Sequence, residues 1–343
     1  MEFHNTLLKS GITAIQSVQT TFANHEESIL SASHLGHPDY ALSILFPILA
    51  AFDTKLAGEV FFSGIVADWI NAILKWIFME DRPYWWVHET DVYGKLTRPE
   101  IKQTSVTCET GPGFPSGHLM STASVLFAIT LFSAKKKPRL SYILWTLYLV
   151  ALIAVSLSRM FVAAHFPHQC VVGAFLGYIV ARSLSDCGGY FSKWKQCSRI
   201  KMLAITSTML GITFGVYWAQ KGLGFDPQWS VKLAFKWCQK PENIHVSSTP
   251  IYSLVRLLGS AYGIAMVSPI NIRIRPEGIS PTIGIAVTLF CCGVLRYIEQ
   301  LIPSQSVVQF YVCHFVIAMM YPICLLALIP KVAAVKSKKP KRQ

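Results

Sequence analysis

Charge is scarce in this chain. Asp, Glu, Lys and Arg make up 14% of 343 residues, where soluble globular domains carry roughly a quarter. Acidic residues are scarcest: 18 Asp and Glu stand against 31 Lys and Arg, a formal charge of +13. With 52% hydrophobic residues and a mean hydropathy of +0.42, this excludes a disordered chain and disfavours an ordinary soluble domain. Several motifs are missing too. Without GxxxxGK[ST] or a well-placed GxGxxG, no nucleotide-binding domain is expected. Without HExxH or an Asp/His cluster, no metal site is expected, and no cofactor. No Asn-x-Ser/Thr sequon occurs, so asparagine glycosylation is not expected. Residues 1–27 are mixed and polar, unlike a cleavable signal peptide, so the first span should act as an uncleaved signal. No internal repeat is evident, and residues 1–343 are expected to form a single integral membrane domain.

What the chain does have is apolar runs of membrane length. They fall within 28–52, where Asp39 and Pro47 interrupt the run, and at about 56–79, 119–134, 140–157, 167–184, 202–219, 251–269, 282–297 and 309–334. The expected fold is an all-α polytopic membrane protein with about nine transmembrane helices. Basic clusters orient it: Lys135, Lys136, Lys137 and Arg139; Lys193, Lys195, Arg199 and Lys201; Arg273 and Arg275; and the tail at 335–343. In a nine-span topology all of them share one face, which should be cytosolic. The positive charge therefore marks orientation, and no nucleic-acid partner is expected. Lys339 and Lys341 resemble a cytosolic dilysine retrieval signal for the endoplasmic reticulum, though a basic tail can also simply fix topology.

Some basic groups oppose this bias. Lys75 and Arg82, the run Pro115-Ser116-Gly117-His118, Ser158 and Arg159, and His165 all fall at the non-cytosolic side. Snorkelling could explain any one of them. Together they are harder to explain that way, and the functional reading is an anion pocket. Arg grips two phosphoryl oxygens with a planar fork, and Lys adds a point charge. Ser116 and Gly117 open a helix, whose free N–H groups favour phosphate. Two imidazoles can supply a nucleophile and a proton donor. Asp68, Trp69 and Asn71 lie within a span and should pair across helices. His168, Glu109, Asp81 and Trp85 are given no direct chemistry, while Trp237 and His245 could cover the pocket.

Among nine cysteines, Cys187 and Cys197 fall on the cytosolic side. Cys108 and Cys238 alone lie in loops on the opposite face, where an oxidising compartment would let them pair.

Three motifs, Lys75-x6-Arg82-Pro83, Pro115-Ser116-Gly117-His118 and Ser158-Arg159-x5-His165, resemble the signature of the type 2 phosphatidic acid phosphatase superfamily. DWINAILKWIF, DRPYWWVHE, CETGPGFPSGH, LSRMFVAAHFPHQ and LAFKWCQKPENIHV resemble its glucose-6-phosphatase catalytic subunit family. DRPYWWVHE and LAFKWC look slightly more like the broadly expressed branch than the liver branch.

The resemblance implies a type 2 phosphatidic acid phosphatase helical core. It also implies metal-free hydrolysis of glucose 6-phosphate on the lumenal side of the endoplasmic reticulum membrane, with a glucose-6-phosphate transporter as functional partner. It implies that His165 is the nucleophile, forming a phosphohistidine, and that His118 is the proton donor. Lys75, Arg82 and Arg159 would hold the phosphoryl group, assisted by Ser116 and Gly117. The superfamily usually has Asp four residues after the nucleophile; here Gln169 stands behind it, as in the glucose-6-phosphatase branch, and could accept the His165 Nδ1–H. Phe114 replaces a usual Ser and is expected to pack. A lipid phosphate phosphatase of the same superfamily and a polytopic anion transporter are the alternatives.

Overall fold

The computed structural model describes residues 2–94, 96–185, 189–244, 249–270, 280–303 and 306–333. Cys187, His245, Arg273, Arg275 and the tail at 335–343 lie outside the described residues. Among the described residues all regular structure is helical. The helices are α1 (Glu2–Thr21), α2 (Glu26–Leu35), α3 (Pro38–Phe52), α4 (Thr54–Phe78), α5 (Pro83–Glu89), α6 (Gly117–Lys136) and α7 (Ser141–Phe161). Then follow α8 (Pro167–Leu184), α9 (Arg199–Gly222), α10 (Trp229–Trp237), α11 (Pro250–Val267), α12 (Pro281–Gln300) and α13 (Val307–Val332).

Among the described residues, seven helical segments are long and apolar enough to cross a membrane, and an eighth is gained if the bent pair Ala23–Leu35 and Pro38–Phe52 counts as one span. The chain is thus an all-α polytopic membrane protein. The remaining segment expected to span, α8, is an 18-residue helix that does not join this set. His168, Gln169 and Arg182 dilute its apolar character.

Local chemistry sets the helix ends. Asp53 Oδ1 accepts the Lys55 and Leu56 N–H groups at 3.1 and 3.0 Å, capping α4. Lys135 and Lys136 close α6, where cations suit the helix dipole, and Pro138 follows. α8 and α12 open on Pro167 and Pro281, positions where a missing N–H costs nothing.

The chain forms two compact units. The first comprises Met1–Tyr40, Val66–Ala181 and Gly211–Leu254. Within it, α1 is amphipathic and buries Leu8, Ile12 and Ile15 against Tyr84, Trp85, Trp86 and Phe166. The polar pairings expected within the span occur: Ser121 Oγ donates to Asp68 Oδ2 at 3.5 Å, Trp69 Nε1 to Thr213 Oγ1 at 3.0 Å, and Asn71 Nδ2 to the Pro115 carbonyl at 3.0 Å. Cys108 and Cys238, 130 residues apart, form a disulfide. Trp237 stacks on His88 with centroids 4.3 Å apart and donates to Glu89.

The second unit comprises Ala41–Ile65, Arg182–Leu210 and Val255–Gln343. Here Lys195, read from sequence as an orienting charge, is buried and pairs with Glu59 at 2.6 Å. Gly259 and Gly263 bring α11 against the Phe315 and Met319 carbonyls of α13, an approach that leaves no room for a Cβ.

Candidate active site

The site lies wholly within the first unit, where several helix ends meet the irregular segment 90–116. α4 ends with Lys75 and α5 is preceded by Arg82. α6 opens at Ser116 and Gly117, α7 carries Arg159 in its last turn, and His165 precedes α8. Arg82, Ser116, His118, Arg159, His165 and Gln169 are all buried. The Lys75 ammonium lies beside both glycines of the neighbouring turns: a Cβ at Gly111 would stand 3.7 Å from Nζ, and one at Gly117 would stand 3.9 Å from it. The structure therefore brings together Lys75, Arg82, Ser116, Gly117, His118, Arg159, His165 and Gln169, while Ser158 Oγ instead donates to the Val155 carbonyl within its own helix.

At the centre stands a group that was assigned no direct chemistry from sequence, the carboxylate of Glu109. Its Oε2 lies 2.8 Å from Arg82 Nη1 and 3.9 Å from His165 Nε2. Its Oε1 lies 2.5 Å from Arg159 Nη2 and 3.6 Å from His118 Nδ1. Each oxygen thus faces one guanidinium and one imidazole. Burial alone would raise the Glu109 pKa, but Arg159 and Arg82 outweigh it and hold the group well below the usual carboxylate range. Glu109 is therefore ionised at neutral pH.

The guanidiniums are pre-oriented. Arg82 Nε donates to the Gly111 carbonyl at 2.6 Å, Nη2 to Pro112 at 3.3 Å and Nη1 to Ala164 at 3.1 Å. Arg159 Nη1 donates to Ser33 Oγ at 2.6 Å. Arg159 Nε and Ser116 Oγ are buried without a hydrogen-bond partner among the described residues. A buried donor left unpaired is costly, and an oxyanion would satisfy it. The first N–H groups of α6 also lack intrahelical acceptors.

The His165 ring is fixed from behind. Nδ1 lies 2.8 Å from the Gly113 carbonyl and 3.2 Å from Gln169 Oε1. Both are acceptors, so the proton sits on Nδ1 and Nε2 keeps its lone pair. The Gln169 amide is itself oriented: Oε1 accepts the Phe166 N–H at 3.0 Å and Nε2 donates to the Asp81 carbonyl at 2.9 Å. Gly113 supplies a second neutral acceptor beside Gln169. Its carbonyl is the nearer acceptor, and only glycine fits there, because a Cβ would run into the Asp81 carbonyl and come within 2.6 Å of Gln169 Nε2. Burial first, then the Arg82 charge, pushes His165 well below the ordinary histidine pKa.

His37, absent from the sequence reading, sets its ring edge-on to His118 with centroids 5.0 Å apart. His168 pairs with Glu80 at 2.7 Å, and Phe114 packs edge-on to Phe78 at 4.9 Å. Neither touches the central carboxylate. Among the described residues, no group of three or more His, Cys, Asp or Glu is placed to hold a metal ion.

Comparison with known proteins gives the family. The family model for the PAP2 superfamily matches residues 56–193, which span all of these motifs. Glucose-6-phosphatase catalytic subunit 1 of Felis catus is 33% identical over 345 residues, covering 95% of this chain and 94% of the relative. Glucose-6-phosphatase 3 of Mus musculus is 34% identical over 341 residues, covering 94% of each. Identities to the two kinds of subunit are alike. No solved structure gives a significant match. With relatives of this identity along almost its whole length, the chain belongs to the glucose-6-phosphatase family of the PAP2 superfamily and is a phosphoric monoester hydrolase.

Proposed function

We propose that the protein hydrolyses glucose 6-phosphate through a phosphohistidine on His165, without a metal, at the lumenal face of the endoplasmic reticulum membrane. One observation carries the mechanism: His165 Nε2 and His118 Nδ1 approach opposite oxygens of the anion held between Arg82 and Arg159. An in-line phosphoryl transfer needs its nucleophile and leaving-group donor on opposite sides of phosphorus. His165 Nε2 attacks, forming the N–P bond as the P–O bond to the sugar breaks. His118 gives its proton to the departing hydroxyl. Water then loses a proton to His118 and attacks phosphorus, the N–P bond breaks, and phosphate leaves. Arg82, Arg159 and Lys75 stabilise the equatorial charge throughout, with Ser116 and the α6 N-terminus assisting.

The topology supports this placement. α6 begins at the site and ends at Lys135 and Lys136, and α7 follows Arg139 and ends at Arg159. The site and this basic cluster therefore sit at opposite ends of the same two helices, as a lumenal site and a cytosolic loop require. With α8 counted as a span beside the bent pair, the chain crosses nine times, N-terminus lumenal and C-terminus cytosolic. The membrane lipid is its solvent. A lumenal site also implies coupling to a glucose-6-phosphate transporter. The names of the relatives supply the sugar phosphate.

A purified-protein assay comparing glucose 6-phosphate with phosphatidate, with His165→Ala as control, tests this reading. Release from glucose 6-phosphate in detergent is expected, and preference for phosphatidate would overturn the substrate assignment.

A further inference from the structure

We propose that Glu109 is a resident counter-anion which the substrate's phosphoryl group must displace, and that it thereby sets how tightly the site holds phosphate. The proposal rests on the phosphatase reading of the site above.

The argument is steric first. Attack requires phosphorus about 3–3.5 Å from His165 Nε2. The Glu109 carboxylate lies just beyond that distance, in the space the phosphoryl oxygens would need, with Oε2 3.9 Å from His165 Nε2 and Oε1 3.6 Å from His118 Nδ1. A phosphoryl group and this carboxylate cannot both fit. They also claim the same donors, Arg82 Nη1 and Arg159 Nη2. Two anions sharing them would repel each other in a buried site.

Electrostatics gives the arrangement a purpose. Arg82 and Arg159 are both buried, with side chains 1% exposed. Two such cations without a counter-charge would strongly destabilise the empty protein. Glu109 neutralises them in the resting state. Phosphate binding is then an exchange of one anion for another. The net gain is smaller than for entry into a bare cationic pocket. Product phosphate, which carries no sugar contacts to offset the exchange, is released more readily.

Displacement is confined to a short reach. Cys108, adjacent to Glu109, is tied to Cys238. The Glu109 carbonyl accepts the Tyr84 hydroxyl at 2.9 Å, and its N–H donates to Thr107 at 2.8 Å. The backbone is held on both sides, so rotation of the side chain is the motion available.

The test is the inhibition constant of inorganic phosphate for purified full-length wild type and Glu109→Gln. Gln keeps the size and loses the charge. Tightening of about tenfold or more is expected, since a like charge is removed from the anion site. General damage to the pocket would weaken binding instead. An unchanged or weaker constant for Glu109→Gln overturns the proposal. If neither form binds phosphate, the phosphatase reading itself fails. If Glu109→Gln cannot be purified, the wild-type structure with bound phosphate decides. Glu109 is then expected to have left Arg82 and Arg159, and a carboxylate still bonded to both beside the phosphate overturns the proposal.

Discussion

The Gly113 carbonyl oxygen lies 2.8 Å from His165 Nδ1, closer than the Gln169 side chain that shares the same proton. Tautomer control is thus duplicated, once by backbone and once by side chain. Gln169→Ala should leave the backbone acceptor in place and cost about 10–100-fold in kcat, far less than the roughly 10⁴-fold that follows a wrong tautomer. Steady-state kinetics checks this. A loss as complete as that of His165→Ala would show that Gln169 alone holds the ring.

The two histidines should separate in a trapping experiment. With labelled substrate and rapid quench, His165→Ala is expected to trap no phosphate on protein. His118→Ala should trap some, with the greatest slowing for poor leaving groups. Equal trapping by wild type and His165→Ala would reject the nucleophile.

Arg82→Ala and Arg159→Ala should each lower kcat by about 10²–10³-fold, the scale of losing one preorganised donor to transition-state charge. Measuring kcat and KM separately matters here. A rise in KM alone would mean that the guanidiniums only bind substrate.

His165 bears on the pH profile. Its pKa is lowered by burial first and by Arg82 second. A lowered pKa keeps the imidazole neutral, and nucleophilic, to more acidic pH. The acid limb of kcat/KM, which reports free enzyme and free substrate, should therefore lie below about 6.5, near the second ionisation of a phosphate monoester at about 6. A limb at or above the ordinary histidine value would contradict this.

The disulfide closes a loop of 130 residues. Cys108→Ser should lower stability by up to about 4–5 kcal/mol on the chain-entropy scale. Cys238→Ser should match it, and the double variant should be no worse than either. Thermal unfolding in detergent distinguishes this from two independent thiols, whose losses would add.

Much of the site was legible because its chemistry rides on short spacings. Lys75 and Arg82, Ser116 to His118, and Arg159 and His165 each flank one helix end, so local sequence carries them. Glu109 did not show because it sits in an irregular segment with no periodicity, and only tertiary folding turns it inward. Gly113 acts through its carbonyl, which no residue type announces. The spans were visible as apolar runs, yet α1 was not: Leu8, Ile12 and Ile15 make one stripe among polar neighbours, too sparse for a span. α8 was read as a span on length, although His168 and Gln169 belong to the site end of that helix.

α7 presents most of itself outward: only 11% of its apolar stretch is buried inside the protein, against 61% for α6. Yet its last turn supplies Arg159, among the most deeply enclosed cations in the molecule. The outer face of the helix that carries this guanidinium is thus left for membrane hydrocarbon to cover. A bilayer or micelle of the wrong thickness is expected to tilt such a helix, and a tilt of α7 would move Arg159 and the Glu109 carboxylate it holds. Activity should therefore vary with the thickness of the surrounding bilayer or micelle.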